Sequence, residues 1–262
     1  SQAEAAQSLE GISTSTISQV RNNNWGLLSD RLWQHIARQV GFYCGDWQSA
    51  DTSAFLLLRI LFSDAQHYNM SYGIAMGEGT GKTFTAAHYA RSNKNVCYIS
   101  CSEDHNRRDF LITLLTTAGV QPKGNVPELI QQFAAYIKQK EQPLILLDDV
   151  HKLKDRVMHL LVMIAGAITG HAGIAIMGSS ELRTKIIDGM RNNKAGYNEL
   201  YKNIGRRFIT LSSLAPRDVE LVCRANGVYD DDVIAHITNG SGNNLHTATR
   251  LILEQGMMQL AA

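Results

Sequence analysis

Apolar runs alternate with helix-like segments through the middle of the chain. Five mostly apolar runs predict buried β-strands at residues 71–76, 95–100, 143–149, 173–178 and 208–211. Helical spacing of apolar residues predicts helices at residues 82–91, 109–118, 127–140 and 156–168. This alternation is typical of a parallel sheet that is covered on both faces. The pattern therefore predicts an α/β core over residues 69–212.

The flanking segments lack strand-like runs and predict helices. Residues 1–28 predict two short helices separated by Gly11, the second capped by Ser13, as in a helix-turn-helix. The second helix offers short polar side chains that could reach DNA bases and phosphates, namely Thr14, Ser15, Ser18 and Gln19. A small helical adaptor with a polar surface is the alternative. Residues 29–68 predict connecting helices and a linker, and residues 213–262 predict a small helical lid.

A glycine-rich loop, MGEGTGKT, occupies residues 76–83 between the first strand and the next helix. In this place, backbone N–H groups and the helix N-terminus can surround phosphates. We expect ATP to contact Gly77, Glu78, Gly79, Thr80, Gly81, Lys82 and Thr83. Lys82 would reach the β- and γ-phosphates, and the Thr83 hydroxyl would ligate Mg²⁺. The usual first glycine is Met76 here, so Gly77 is expected to provide that turn.

Two carboxylates end the third strand, in the sequence LILLDDVH. Ligands of open α/β sheets bind at the carboxyl ends of strands, so Asp148 is expected to hold Mg²⁺. Asp149 stands where such enzymes usually carry a glutamate that orients the attacking water, and its shorter side chain predicts slow hydrolysis. Ser179 follows the fourth strand and could bond the γ-phosphate or the water. An ordinary helix cap is the alternative for Ser179.

Basic residues concentrate late in the core. Residues 181–207 contain seven Lys or Arg and three acidic residues. This segment has three interpretations: a solvated face, a surface that binds the DNA backbone, or an arginine finger for a neighbouring subunit. The DNA candidates are Arg183, Lys185, Arg191 and Lys194, and the finger candidates are Arg206 and Arg207. His246 opens the last predicted helix and could touch the nucleotide, with a generic helix start as the alternative.

Overall charge does not by itself indicate nucleic acid. The 262-residue chain has 25 basic and 24 acidic residues, a formal net charge of +1. This balance excludes a dense positive coat but leaves room for a local basic patch. The 44% hydrophobic content excludes wholesale disorder. No signal peptide is apparent, and the longest apolar run, at residues 157–168, is too short for a membrane span. We expect a soluble, cytoplasmic protein that binds no membrane.

Taken together, the motifs STSTISQ, GEGTGKT, LLDDVHKL, MGSS and ELYKNIGRRF, followed by a helical lid, resemble a known family. They resemble the phage Mu B-like AAA+ transposition regulators, which are related to the TnsC and IstB-like helpers. The resemblance implies ATP binding at subunit interfaces and homo-oligomers that form rings or helical filaments on double-stranded DNA. It also implies largely sequence-independent DNA binding and a DDE-type transposase as partner.

The resemblance also implies roles for single residues. Lys82 and Thr83 match Walker A, and Asp148 matches Walker B. Asp149 falls at the catalytic-acid position and Ser179 at sensor 1. Arg206 or Arg207 falls in the arginine-finger region, and His246 stands where many relatives carry the sensor 2 arginine.

Three departures from the family pattern, at Met76, Asp149 and His246, affect hydrolysis or nucleotide sensing more than binding. We therefore expect tight ATP binding with weak basal turnover. Two alternative functions are a helicase-loader-like remodelling ATPase and a helix-turn-helix transcriptional regulator switched by nucleotide. If ATP drives oligomerisation, a near-neutral subunit can still bind DNA because a small basic strip is repeated many times.

Overall fold

The computed structural model describes residues 9, 11–22, 24, 28, 29, 32, 36, 47–211 and 213–261, with side chains described as far as residue 255 in the last helix. The chain divides into two compact units. The first, here called the sheet unit, is Ser53–Leu214. The second, here called the helical unit, combines Ser1–Thr52 with Ala215–Ala262.

The sheet unit contains a five-stranded parallel sheet. Its strands are β1 (Ser71–Ala75), β2 (Val96–Ser100), β3 (Leu144–Asp148), β4 (Gly173–Gly178) and β5 (Phe208–Ile209). The spatial order is β2-β3-β4-β1-β5, with every neighbouring pair parallel. All five predicted strands are confirmed, although β5 is two residues long rather than four. Ala75 at the end of β1 lies beside Gly178 at the end of β4, so the loops that follow these strands meet at one edge of the sheet.

Helices account for most of the remaining described structure. In chain order they are α1 (Thr14–Arg21), α2 (Ser53–Tyr68), α3 (Lys82–Ser92), α4 (Arg107–Thr117), α5 (Val126–Lys138), α6 (Asp155–Ala167), α7 (Ser180–Arg191), α8 (Tyr197–Asn203), α9 (Pro216–Ala225), α10 (Asp231–Ser241) and α11 (Leu245–Ala261). A 3₁₀ turn at Val150–Lys152 follows β3. Among the described residues, no helix is both long and apolar enough to cross a membrane.

Successive residues of β3 face opposite sides of the sheet, and both sides are covered by helices. Leu144 and Leu146 join an apolar cluster with α2 and α3. Ile145 and Leu147 join the larger cluster formed with α4 to α8. This alternation is the period-two pattern of a strand buried on both faces. The predicted α/β fold, a parallel sheet flanked by helices, is confirmed.

Helix α2, from the predicted connecting segment, packs directly on the sheet. Its Leu58 and Phe62 are fully buried. Gly173 on β4 permits the close approach, because a Cβ atom there would lie 2.1 Å from the Ala65 carbonyl oxygen. The helix is therefore part of the same compact unit as the strands it covers.

The described part of the helical unit consists of α1, α9, α10 and α11. Buried residues of the last three helices form its core, which contains Val219, Val222, Cys223, Ile234, Ile237, Ala248 and Ile252. In α1 the Ser13 hydroxyl accepts a hydrogen bond from the Thr16 N–H at 3.1 Å, as expected of its N-cap. Apart from Leu9, the first predicted helix of the helix-turn-helix lies outside the described residues, so that motif and the role of a lid stay predictions.

Candidate nucleotide-binding site

Residues 76–83 form a loop between the end of β1 and the start of α3. Gly79 and Gly81 have φ angles of 68° and 88°, a left-handed conformation that glycine adopts without steric cost. Gly77 does not have a positive φ, and a Cβ atom built there would meet nothing within 4 Å. The expectation that Gly77 provides the turn was therefore wrong, because Gly79 and Gly81 make it.

The position of the usual first glycine is filled by a core residue. The Met76 side chain is fully buried and packs in the apolar cluster that includes Ile74 and Met177. Its N–H donates to the Gly178 carbonyl oxygen at 3.2 Å, which ties the start of the loop to β4. Met76 is therefore accommodated because its side chain enters the core rather than the phosphate-binding side of the loop.

Lys82 is held by the loop itself. Its Nζ donates to the carbonyl oxygens of Met76 at 3.0 Å and Gly77 at 2.6 Å. Burial lowers the pKa of Lys82, and the charges of Asp148, Asp149 and Glu78 oppose that shift. The ammonium group therefore lies buried at the base of the loop, beside the N–H groups that would face a phosphate.

Thr83 and Asp148 bring two oxygen ligands together. The Thr83 hydroxyl donates to Asp148 Oδ2 at 2.6 Å, and the Asp149 N–H donates to Oδ1 at 2.9 Å. Asp148 is completely buried; burial raises its carboxyl pKa, while the hydrogen bond from Thr83 lowers it. A hydroxyl and a carboxylate are oxygen donors that suit Mg²⁺, which usually takes one or two carboxylates together with substrate phosphates. Within the described residues, no group of three or more His, Cys, Asp or Glu side chains is placed to hold a metal ion.

Sequence reasoning missed Tyr98 as a member of this site. Its hydroxyl lies 3.5 Å from Asp148 Oδ2 and donates to it from the neighbouring strand β2. Burial, followed by the charge of Asp148, raises the pKa of Tyr98. The available signal was a phenol in a mostly apolar strand, because a buried phenol needs a hydrogen-bond partner. That partner is not evident from the sequence, because it comes from the pairing of β2 with β3.

Asp149 lies in a constrained position beside a lysine. Its φ of 56° is left-handed, and it begins the Val150–Lys152 turn. Lys152 Nζ pairs with Asp149 Oδ2 at 2.6 Å, with 44% and 27% of the respective side chains exposed. This hydrogen bond raises the pKa of Lys152. The predicted catalytic acid is thus held in an ion pair that sequence reasoning did not anticipate.

Ser179 follows β4 and caps the next helix. Its hydroxyl accepts from the Glu181 N–H at 3.3 Å, the ordinary bond of an N-cap. The alternative interpretation made for Ser179 is therefore observed. A bond from Ser179 to a γ-phosphate or to water stays a prediction.

Arg206 and Arg207 are exposed. They precede β5, whose Phe208 lies beside Gly73 of β1. In this parallel register Arg207 is level with Tyr72, and the glycine-rich loop begins at Met76, after the last residue of β1. With a rise of about 3.3 Å per residue, the backbone of Arg207 is roughly 13 Å from the start of the loop along the strand direction. The arginines therefore lie toward the amino-terminal ends of these strands, and the loop lies at their carboxyl ends.

The four predicted DNA-binding residues of the late core have different surroundings. Arg183 is exposed, and Arg191 lies 3.6 Å from Asp188 in an exposed pair. Lys194 pairs with Asp155 at 2.8 Å, also at the surface. Lys185 is different, because its half-buried ammonium donates to backbone carbonyl oxygens. The structure therefore does not place Lys185 on a common exposed track with the others; DNA contact by any of the four is untested.

The remaining predicted residues belong to the helical unit. Thr14 and Ser15 are exposed on α1, and Ser18 and Gln19 are half-buried. His246 is the second residue of α11, and its N–H donates to Asn244 Oδ1 at 2.9 Å, which is an ordinary helix start. Contacts of α1 with DNA and of His246 with nucleotide stay predictions.

A strand, a glycine-rich turn, a buried lysine on the following helix and a buried aspartate on a nearby strand define a P-loop nucleotide-binding core. Residues 70–186 match the family model described as "AAA domain". This match covers less than half of the chain and supports an AAA-type ATPase core. No curated protein matches the chain.

Matches to solved structures include Cdc6p from Pyrobaculum aerophilum, with 13% identity and a TM-score of 0.57, covering 87% of this chain and 63% of that chain. They also include a DNA polymerase III gamma subunit-related protein from Thermotoga maritima, with 9% identity and a TM-score of 0.41, covering 76% of this chain and 57% of that chain. The chain thus spans less than two thirds of either structure. At 13% identity, the likeness to Cdc6p is one of fold alone.

Proposed function

We propose that this protein is an ATP-dependent, DNA-binding AAA+ regulator of transposition. In this proposal, ATP and Mg²⁺ drive oligomerisation on double-stranded DNA, with little dependence on DNA sequence, and the assembly recruits a DDE-type transposase. The observation that carries the ATPase part is the hydrogen bond between Thr83 and the buried Asp148, 2.6 Å long, at the foot of the glycine-rich loop. The motif resemblance supports the role in transposition.

Nucleotide binding would use bonds that the loop already makes. Lys82 would exchange its two carbonyl acceptors for β- and γ-phosphate oxygens, to which an ammonium bonds more strongly because they are charged. Thr83 and Asp148 would hold Mg²⁺, which supplies positive charge beside the same phosphates. This arrangement favours tight binding of ATP.

Hydrolysis would need a rearrangement at Asp149. Its carboxylate must orient the attacking water, yet Oδ2 is paired with Lys152 at 2.6 Å. Its side chain is also one methylene shorter than the usual glutamate. Both features support weak basal turnover, with stimulation when DNA or the partner changes this region.

The placement of Arg206 and Arg207 supports action between subunits. They lie toward the amino-terminal ends of the strands, whereas their own loop lies at the carboxyl ends, so either would serve as an arginine finger toward the nucleotide of another copy. Assembly would then also repeat the exposed Arg183, Arg191 and Lys194 along the DNA. Such repetition explains how a chain with a formal net charge of +1 could bind a polyanion.

The test combines ATP turnover with footprinting on duplex DNA over a range of salt concentrations. The proposal predicts broad, ATP-dependent protection that weakens steeply with salt, and slow turnover without DNA. Basal turnover of about 10 s⁻¹ or more, the median of enzymes, would contradict the slow site. Protection of one defined operator would favour a transcriptional regulator. ATP-dependent remodelling of a protein without DNA protection would favour the loader-like alternative.

A further inference from the structure

The turn after β3 carries the predicted catalytic acid and is held from two sides. On its inner side, Val150 and Leu153 are completely buried in the large apolar cluster. On its outer side, Lys185 of α7 donates from Nζ to the His151 carbonyl oxygen at 2.7 Å and to the Leu153 carbonyl oxygen. The turn is therefore fixed between the core and one lysine that lies 32 residues or more along the chain.

These contacts give Lys185 a short physical path to Asp149. Asp149, whose backbone is in the left-handed conformation, immediately precedes the 3₁₀ turn. The Lys152 N–H in that turn donates back to the Asp149 carbonyl oxygen at 2.9 Å. An ammonium group has three donors, so one lysine can hold two carbonyl oxygens at once. Loss of that anchor would let residues 150–153 shift and carry the Asp149 carboxylate with them.

Helix α7 is itself well fixed, so Lys185 extends from a rigid support. Leu182 and Ile186 on either side of Lys185 are fully buried. Gly178, at the end of β4, allows close packing of the turn, because a Cβ atom there would lie 2.9 Å from His151 Nδ1. Burial also lowers the pKa of Lys185, which agrees with an inward-facing ammonium.

We propose that Lys185 is a positioning residue for ATP hydrolysis, which holds the turn that places Asp149, rather than a DNA contact. This inference rests on the proposed function, because it presumes that the protein hydrolyses ATP. It separates Lys185 from the exposed basic residues near it in the sequence.

The first test compares Lys185→Met with Lys185→Arg in the full chain. Methionine keeps most of the apolar stem and removes the charge, whereas arginine keeps a charged donor. Lys138→Met, on the exposed end of α5, is the matched control. We expect Lys185→Met to lower kcat about tenfold, because misplaced catalytic groups cost rate. The KM for ATP should stay within about twofold. Lys185→Arg should recover most of the rate.

The second test measures the affinity for duplex DNA as a function of salt concentration, for the same variants and for Arg183→Met. Each lost phosphate contact reduces the slope of log affinity against log salt by about 0.9 for duplex DNA. Lys185→Met should keep the wild-type slope, whereas Arg183→Met should reduce it. Hydrogen exchange of the backbone amides of residues 149–155 should be faster in Lys185→Met than in the wild-type protein. It should be unchanged in Lys138→Met and in Arg183→Met.

Each outcome has a distinct meaning. Wild-type kcat in Lys185→Met, a reduced salt slope, or unchanged exchange at residues 149–155 would overturn the positioning role. Absence of ATP turnover in the wild-type protein would instead overturn the proposed function, and with it this role in hydrolysis. The exchange measurement would still report in that case whether Lys185 holds the turn.

Discussion

The glycine-rich loop and the basic segment at residues 181–207 contrast in how directly their sequences indicate their roles. In the loop, Gly79 and Gly81 shape the backbone locally, and Lys82 bonds carbonyl groups five and six residues away. In the basic segment, Lys185 and Lys194 bond groups more than 30 residues away. Residue type and spacing therefore define the loop, whereas similar lysines acquire different roles from partners elsewhere in the fold.

The largest effect is expected from Lys82→Ala in the loop. Charge-assisted hydrogen bonds contribute about 1.5–3 kcal/mol each, so losing this ammonium should weaken ATP binding about 100-fold. The measurement is the rise in thermal unfolding temperature on addition of ATP, since a ligand that binds the folded state stabilises it. Lys138→Ala should keep the full rise. An equal ATP-dependent rise in Lys82→Ala would show that nucleotide binds elsewhere.

The next effect concerns the packing of the basic segment. In Gly189→Ala the new Cβ would lie 2.3 Å from the ring of Tyr197, which is almost completely buried. Overpacking of this kind should lower the free energy of unfolding by about 1–3 kcal/mol. Gly166→Ala on α6 is the matched control, because nothing lies within 4 Å of its Cβ position, and it should raise stability by about 0.5–1 kcal/mol. Chemical denaturation measures both. Equal stability of the two variants would contradict the packing at Tyr197.

A smaller effect is expected from Arg183→Ala, which tests the exposed part of the basic segment. Loss of one phosphate contact should weaken duplex DNA binding about fivefold at physiological salt and lower the salt slope by about 0.9. Fluorescence anisotropy with labelled DNA at several salt concentrations measures both values. An unchanged slope would mean that Arg183 belongs to a solvated face.

The smallest effect is expected from Lys152→Met, beside the nucleotide site. An exposed ion pair contributes about 0.2–1 kcal/mol, so freeing Asp149 should raise basal ATP turnover by up to about fivefold. Steady-state phosphate release measures the change, and Lys138→Met is again the control. A fall in turnover would show that Lys152 assists hydrolysis rather than restraining Asp149.

Sequence patterns predicted the sheet well because each strand is a local apolar run. Edge strand β5 was predicted too long, since its end depends on pairing with β1 rather than on its own residues. The Thr83–Asp148 pair was predictable because both residues belong to motifs with known places in such a sheet. Tyr98 was missed because it belongs to no motif. Lys152 lies within LLDDVHKL, but its pairing with Asp149 depends on the left-handed turn after β3. Lys185 was assigned to DNA because a charge cluster does not reveal which ammonium turns inward.

Electron microscopy of the full chain with duplex DNA tests whether ATP drives assembly on DNA. Three samples are needed, with a slowly hydrolysed ATP analogue, with ADP and with no nucleotide. We expect rings or continuous helical arrays on the DNA with the analogue, and sparse coverage in the other two samples. Isolated particles in all three samples, or equal coverage without nucleotide, would contradict ATP-driven assembly on DNA.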